Sequence, residues 1–365
     1  HAWLKESWAT YMETCWLEDK KGADEQQYDL YRNAKQYFNE ADEQYTRPLV
    51  TRRFTSSWQM YDRHLYPGGA CRLHTMRWEL GDEIFWRAVT EYLESNREKV
   101  VETQDWQRAL ERQSGRSLQQ LFDQWIYAAG YPDIKVTFSY DKENQLGTFE
   151  VSQKQVDDKK GAQPFVLTTE LGWTIRGESH LRLIKITAER HSFQVPMDAE
   201  PEQVRFDPRC RVLHKLEFDP GEKLLKKQLV AATDIVGRIH AALQLCRSGK
   251  RSQIEAVIDA YVSEPFWGVR CEMVKALAET NSEFALRAIV DFIGSERDPL
   301  VLPELFDAAA NYRDAGLTEV TRQRLTRGDL GPEAVAAAYG VAVEGLYLAK
   351  NNPHSFQVGL QSGIE

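Results

Sequence analysis

A glutamate framed by tryptophans stands near the start of the sequence, in His1-Ala2-Trp3-Leu4-Lys5-Glu6-Ser7-Trp8. Leu4, Trp8, Tyr11 and Cys15 recur at three- and four-residue steps, the apolar stripe of a helix, and Glu6 lies beside that stripe. A carboxylate buried in such a place has to be paired or metal-bound; taken alone, Glu6 reads as a partly solvated helix residue. The second segment with chemical potential is Leu65-Tyr66-Pro67-Gly68-Gly69-Ala70, ahead of another helix. Its paired glycines let backbone approach closely, and Tyr66 just before them can present a hydroxyl to a ligand; locally, a plain helix entry with a core tyrosine reads as well. No complete catalytic motif accompanies either segment: GxSxG, the phosphate-binding P-loop, GxGxxG and zinc-finger spacings are all missing. None of the eight histidines has a partner four residues away, so HExxH is absent and local spacing assembles no metal site.

The elements that must position these residues fall into three stretches. Eight of the ten tryptophans precede residue 130. There the stripes Leu73-Met76-Trp78-Leu80 and Ile84-Phe85-Val89-Tyr92-Leu93 read as helices. Asp105 reads as the N-cap of a helix stopped by Gly115, and Ser117 as the cap of the next. From Asp133 the period changes to two: Ile134, Val136, Phe138 and Tyr140 alternate with polar residues. Strand-like runs follow at 165–171, 180–187, 192–195, 204–206 and 212–218, with Gly172, Gly177, Asp207-Pro208 and Asp219-Pro220-Gly221 as turn signals and 157–161 as a loop. The implied unit is a small antiparallel β-sandwich. After Gly221 the helical period returns. The trios Arg238-Ala241-Leu245, Arg270-Met273-Leu277 and Leu302-Leu305-Ala309 recur every 32 residues, as short HEAT-like helix pairs would, with an irregular bundle as the alternative.

Composition narrows the classes. At 365 residues the chain exceeds one ordinary core. Its 42% hydrophobic and 28% charged content excludes a disordered or fibrous chain. A net charge of −9 supplies no field for nucleic acid or anionic lipid. No apolar run approaches the roughly 18 residues of a membrane span. Five scattered cysteines without CxxC match a reducing compartment. A chain that opens at His1, directly in a helical pattern, reads as a piece of something longer.

Trp3-Leu4-Lys5-Glu6-Ser7-Trp8-Ala9-Thr10-Tyr11 resembles the W-L-x-E-x-x-A-x-Y segment of the M1 zinc aminopeptidases (gluzincins). The segment from Leu65 to Leu93 resembles that family's Y-x-K-G-x-x-x-L-x-x-L-x-x-x-L-G-x-x-x-F passage. Phe122 to Val136 resembles its W-x-x-x-x-G-[YF]-P exit into a β-domain. The resemblance covers 1–135 in motif and the whole chain in layout. It implies that Glu6 is the third ligand of one Zn²⁺ and Tyr66 the tyrosine that stabilises the transition state. Two departures stand out: Gly68 replaces the family's lysine, and Lys5 replaces its asparagine. The two histidine ligands, the general-base glutamate and the G-x-M-E-N segment for the substrate's amine fall outside this chain.

The expected architecture is multidomain α+β. Residues 1–133 are the C-terminal helical part of a thermolysin-like catalytic domain, 134–220 a β-sandwich, 221–350 a HEAT-like array and 351–365 a frayed tail. The implied function is a zinc-dependent aminopeptidase acting on peptide substrates, the fragment itself being inactive. The location would be cytoplasmic, with a protein partner on the helical array. The alternative is a non-catalytic scaffold of the same fold.

Overall fold

The computed structural model describes residues 2–157, 162–310, 312 and 314–351. It is a mixed α+β chain in two compact units, His1–Pro220 and Gly221–Glu365. Most of the 157–161 loop, and the tail beyond Asn351, lie outside the described residues.

The first unit opens with α1 (Trp3–Lys21), closed by Gly22 at φ 98°, where a β-carbon would be strained. α2 (Ala23–Glu43) has no counterpart in the reading of the sequence. Its surface is so polar that the buried series Tyr28, Asn33, Tyr37 and Ala41 is easy to overlook. α3 (Pro67–Leu80) has Pro67 in its first turn and is buried continuously from Pro67 to Arg77, so it is a central helix with no single apolar stripe. α4 (Asp82–Ser95) and α5 (Thr103–Ser114) follow. Asp105 turns out to be the third residue of α5, in a capping box with Glu102, because its carboxylate reaches back to the Glu102 amide at 2.8 Å. Gly115 ends α5 in the left-handed conformation, as its position suggested. α6 (Gln119–Phe122) runs into one π-type turn, Asp123–Tyr127.

The tryptophans explain how these helices cohere. Trp8 stacks on Phe85 at 5.7 Å and meets Trp106 edge-on at 5.2 Å, and Tyr92 closes on Trp106 at 5.5 Å. Such ring pairs add to the area they bury. Trp3 keeps its indole N–H satisfied inside by donating to Thr103 at 3.0 Å.

Two sheets complete the unit. β1 (Asp133–Asp141), β2 (Leu146–Gln153), β5 (Arg190–Pro196) and β7 (Lys215–Phe218) form one, in the order β5-β2-β1-β7. β3 (Leu167–Ile175), β4 (Glu178–Ile186) and β6 (Gln203–Phe206) form the other, in the order β4-β3-β6. The first is not purely antiparallel: β7 runs parallel to β1, Ile134 opposite Leu216. The chain reaches β7 only after crossing through the second sheet, and a parallel neighbour needs such a long connection. Gly172 is not a turn but the middle of β3, opposite Leu181 and Arg205. A β-carbon there would meet Pro208 at 3.2 Å, so the glycine marks close packing. The change of period at 133 does not divide the unit. Trp78 donates its indole N–H to the Thr168 carbonyl at 2.9 Å, and the Leu213 amide donates to Thr75 Oγ1 at 3.0 Å.

α3 also buries His74, with the Tyr11 hydroxyl 3.2 Å from its Nδ1. Burial, and then the charges of Arg77 and Arg211, push the imidazole down to about 3. The folded protein therefore keeps His74 neutral where an unfolded chain protonates it, below about pH 6.5. Unfolding takes up a proton there, so stability falls as the pH drops from 6.5 towards 3, by at most about 1.4 kcal/mol per pH unit. Urea midpoints across that range should fall for the native chain and flatten in His74→Asn; equal slopes would refute the assignment.

The second unit is helical: α7 (Glu222–Ala231), α8 (Ile235–Arg247), α9 (Arg251–Ser263), α10 (Trp267–Glu279), α11 (Glu283–Ser295), α12 (Leu302–Ala310), α13 (Ala315–Arg327) and α14 (Pro332–Asn351). α9, α11 and α13 begin at 251, 283 and 315, a spacing of 32. Ala241, Leu245, Met273, Leu277, Leu305 and Ala309 of the recurring trios are fully buried. The period also carries polar contacts: Arg238 pairs with Glu264 at 2.8 Å, and Arg270 with Glu296 at 3.2 Å.

Candidate functional site

Glu6 occupies the first turn of α1 and Tyr66 the position immediately before α3. The buried face of α1 is centred on Trp3, Ser7, Tyr11 and Thr14, with Glu6 on the same side; Leu4, Trp8 and Cys15 are only half-buried. The helix is rotated from its apolar stripe because α3 packs against its serine side. Ser7 Oγ donates to the Leu65 carbonyl at 2.6 Å. A β-carbon on Gly69 would lie 1.9 Å from Ser7 Oγ and 2.5 Å from Ser7 Cβ. Only glycine allows this approach, and the approach brings Glu6 and Tyr66 face to face.

The electrostatics record the meeting. Partial burial, then the charge and hydrogen bonding of the Glu6 carboxylate, raise the Tyr66 hydroxyl above its ordinary range. At neutral pH it is a protonated donor. Lys5 Nζ lies 3.0 Å from Glu6 Oε1, while the lysine itself stays largely in solvent. Hydrogen bonding and charge from Glu6 raise the Lys5 ammonium in turn. An aromatic series leads outward from the pair: Tyr66 to Tyr61 at 6.3 Å, then Tyr61 to Trp58 at 5.7 Å. The arrangement offers one buried carboxylate oxygen donor and one phenolic proton donor, side by side. A phenol so placed can stabilise an oxyanion that develops beside it.

The segment before Tyr66 contains a group that the sequence does not advertise. Glu40, Asp62 and His64 bring three potential ligand atoms within 4.8 Å of one another. Their chemistry is already committed. His64 Nδ1 faces Glu40 at 2.8 Å, and Nε2 accepts the Arg47 amide at 3.3 Å. Asp62 takes two bonds from Arg47, at 2.6 and 2.7 Å, one from Tyr45 at 2.9 Å and one from the Leu65 amide at 2.9 Å. Burial opposes the Asp62 charge, yet these donors hold its carboxyl below the usual range. With both His64 nitrogens used, the cluster is a knot that anchors the strand of chain leading into Tyr66, not an open ligand set. Its signal in the sequence is nil, because Glu40, Arg47 and Asp62 have no characteristic spacing.

Gly68, where the resemblance leads one to expect lysine, has no room for a side chain. A β-carbon would stand 2.8 Å from Tyr37 Cδ2 and 3.1 Å from Arg72 Nη1.

Residues 1–125 match the peptidase family M1 domain. A stretch of 78 residues, 21% of this chain, is 32% identical to Tricorn protease-interacting factor F2 of Thermoplasma volcanium and covers 10% of that protein. The fold is similar to that of Legionella pneumophila aminopeptidase A, solved in complex with aspartic acid. The TM-score is 0.56 at 16% identity, covering 97% of this chain and 42% of that one. The chain thus spans less than half the length of the aminopeptidase it resembles. Among the described residues no helix is long and apolar enough to cross a membrane.

Proposed function

We propose, from the match of residues 1–125 to the peptidase family M1 domain, that this chain is part of a zinc-dependent aminopeptidase that removes N-terminal residues from peptides. Glu6 is the third zinc ligand and Tyr66 the oxyanion donor. The observation that carries this reading is the approach of Glu6 and Tyr66 across the Ser7–Gly69 contact. Glu6 suits the role, being a buried carboxylate whose counter-charge, Lys5, is exposed and displaceable. The chain has no H-E-x-x-H, so the two histidine ligands come from another segment of the polypeptide. When bound, zinc lowers the pKa of a water and polarises the scissile carbonyl. The chain's own contribution is the Tyr66 proton, held by the raised hydroxyl and aimed at the oxygen of the carbonyl under attack. The likeness to a protease-interacting factor supports a protein partner for the intact molecule, with the 32-residue helical period as a HEAT-like platform. A β-sandwich between the two helical parts and a cytoplasmic location complete the reading.

One specific observation favours the second reading, a non-catalytic scaffold: Gly68 has lost both the family lysine and the space for it. Metal analysis separates the two. One carboxylate cannot hold Zn²⁺ against water, so the isolated 365-residue chain should carry no stoichiometric zinc. The polypeptide with its full ligand set should carry one, and Glu6→Ala should lose it. A tight zinc in the isolated chain would refute the ligand assignment. Zinc retained in Glu6→Ala would refute Glu6 as a ligand, and a wild-type polypeptide without zinc would favour the scaffold.

A further inference from the structure

Arg72 lies one turn into α3 and is buried to 1% exposure. Among the described residues it has no carboxylate partner, and its Nε has no acceptor. Burying a guanidinium without a counter-charge is costly, and a methionine would fill similar space without that cost. What the guanidinium adds is directed donors on a rigid fork. Nη1 donates to the Gly68 carbonyl at 2.9 Å. Nη2 donates to the Tyr37 hydroxyl at 2.8 Å and to the Gly130 carbonyl at 3.0 Å. The Tyr37 hydroxyl itself donates to Gly130 at 3.1 Å, closing a triangle, while the guanidinium carbon sits 4.6 Å from the Tyr37 ring centre. The fork thereby ties three pieces of chain together: the first turn of α3, the middle of α2 and the turn that leads into β1.

The consequence falls on Tyr66. Its carbonyl accepts the Ala70 amide at 3.0 Å and its amide donates to the Asp62 carbonyl at 3.3 Å, so its backbone is the entry of the turn that Arg72 clamps. Gly68 belongs to the same device, since any β-carbon there would displace Tyr37 or Arg72 Nη1. We propose that Arg72, with Tyr37, is a positioning residue that aims the Tyr66 hydroxyl by pinning the first turn of α3; this rests on the oxyanion-donor reading of Tyr66. The cation absent at position 68 is thus present one turn on, turned inward to hold backbone.

The test uses the polypeptide with its complete zinc ligand set and an aminoacyl-anilide substrate, with kcat per folded, zinc-loaded enzyme. Arg72→Met should lower kcat about 10- to 100-fold through misplacement of the hydroxyl. KM and zinc content should be unchanged, and Arg72→Lys, which restores one donor, should recover part of the loss. Tyr37→Phe deletes only the shared hydroxyl and gives the same signature should the Arg72 variants fail to fold. Adding Tyr66→Phe to either variant should bring the rate to that of Tyr66→Phe alone, because all act through one hydroxyl. Losses that multiply, or variants that melt earlier with normal kcat, would overturn the positioning role while leaving Tyr66 its own. A normal kcat in Tyr66→Phe alone would overturn the reading beneath it, and this inference with it.

Discussion

Tyr66→Phe should lower kcat about 10²–10³-fold in the zinc-loaded polypeptide, or roughly 3–4 kcal/mol of transition-state stabilisation, with KM nearly unchanged. The substitution removes one oxygen from a half-buried ring and leaves its contact with Tyr61 at 6.3 Å in place. Little packing is at stake. The substrate carbonyl carries no full charge in the ground state, whereas the tetrahedral intermediate carries an oxyanion for the hydroxyl to meet, so the loss belongs in kcat. Zinc content separates this from a metal defect: Tyr66→Phe keeps its zinc, since the tyrosine is a proton donor and not a ligand. Steady-state kinetics with an aminoacyl-anilide, run beside elemental analysis, decide the matter. An enzyme with wild-type kcat would remove Tyr66 from the mechanism.

Gly69→Ala should destabilise the first unit by about 3 kcal/mol, which for a unit of this size lowers its melting temperature by roughly 6–12 °C. The added carbon would lie 2.5 Å from Ser7 Cβ, an atom fixed to the α1 backbone that no rotamer change can move. α1 and α3 must then separate, and the hydrogen bond from Ser7 to Leu65 goes with them. Ser7→Gly in the same chain should return part of the stability, because it removes the atom that is struck. Ser7→Ala should not, because it keeps that atom. This experiment needs neither metal nor substrate. Equal melting curves for wild type and Gly69→Ala would show that the helices have slack the structure does not contain.

Helices with an apolar period were legible. α4 announces itself by Phe85, Val89 and Tyr92 at steps of four and three, α5 by Trp106 with Ala109 and Leu110 three and four residues on, and Gly115 by its place at a helix end. α2 was not, because its buried face is made largely of tyrosine, asparagine and glutamine within an acidic surface. Gly172 read as a turn because a glycine in a sequence does not say whether it bends the chain or admits a neighbour; β3 needed the second. The parallel pairing of β7 with β1 depends on where the chain returns after the second sheet, which no local pattern encodes.

The candidate site divides along the same line. Sequence alone determined the residue types and their local setting: a glutamate on the first turn of a helix, a tyrosine just before paired glycines and a helical period that repeats every 32 residues. These follow from steric and hydrophobic preferences that act over a few neighbouring residues. Tertiary structure alone decided that Glu6 meets Tyr66, that Gly69 is glycine for the sake of Ser7, and that Gly68 is glycine for the sake of Tyr37 and Arg72. It also decided that His64 spends both nitrogens on Glu40 and Arg47 instead of a ligand. The physical reason is that burial, desolvation and close contact are properties of what lies across a gap in space, and the residues facing one another across this gap are far apart along the chain.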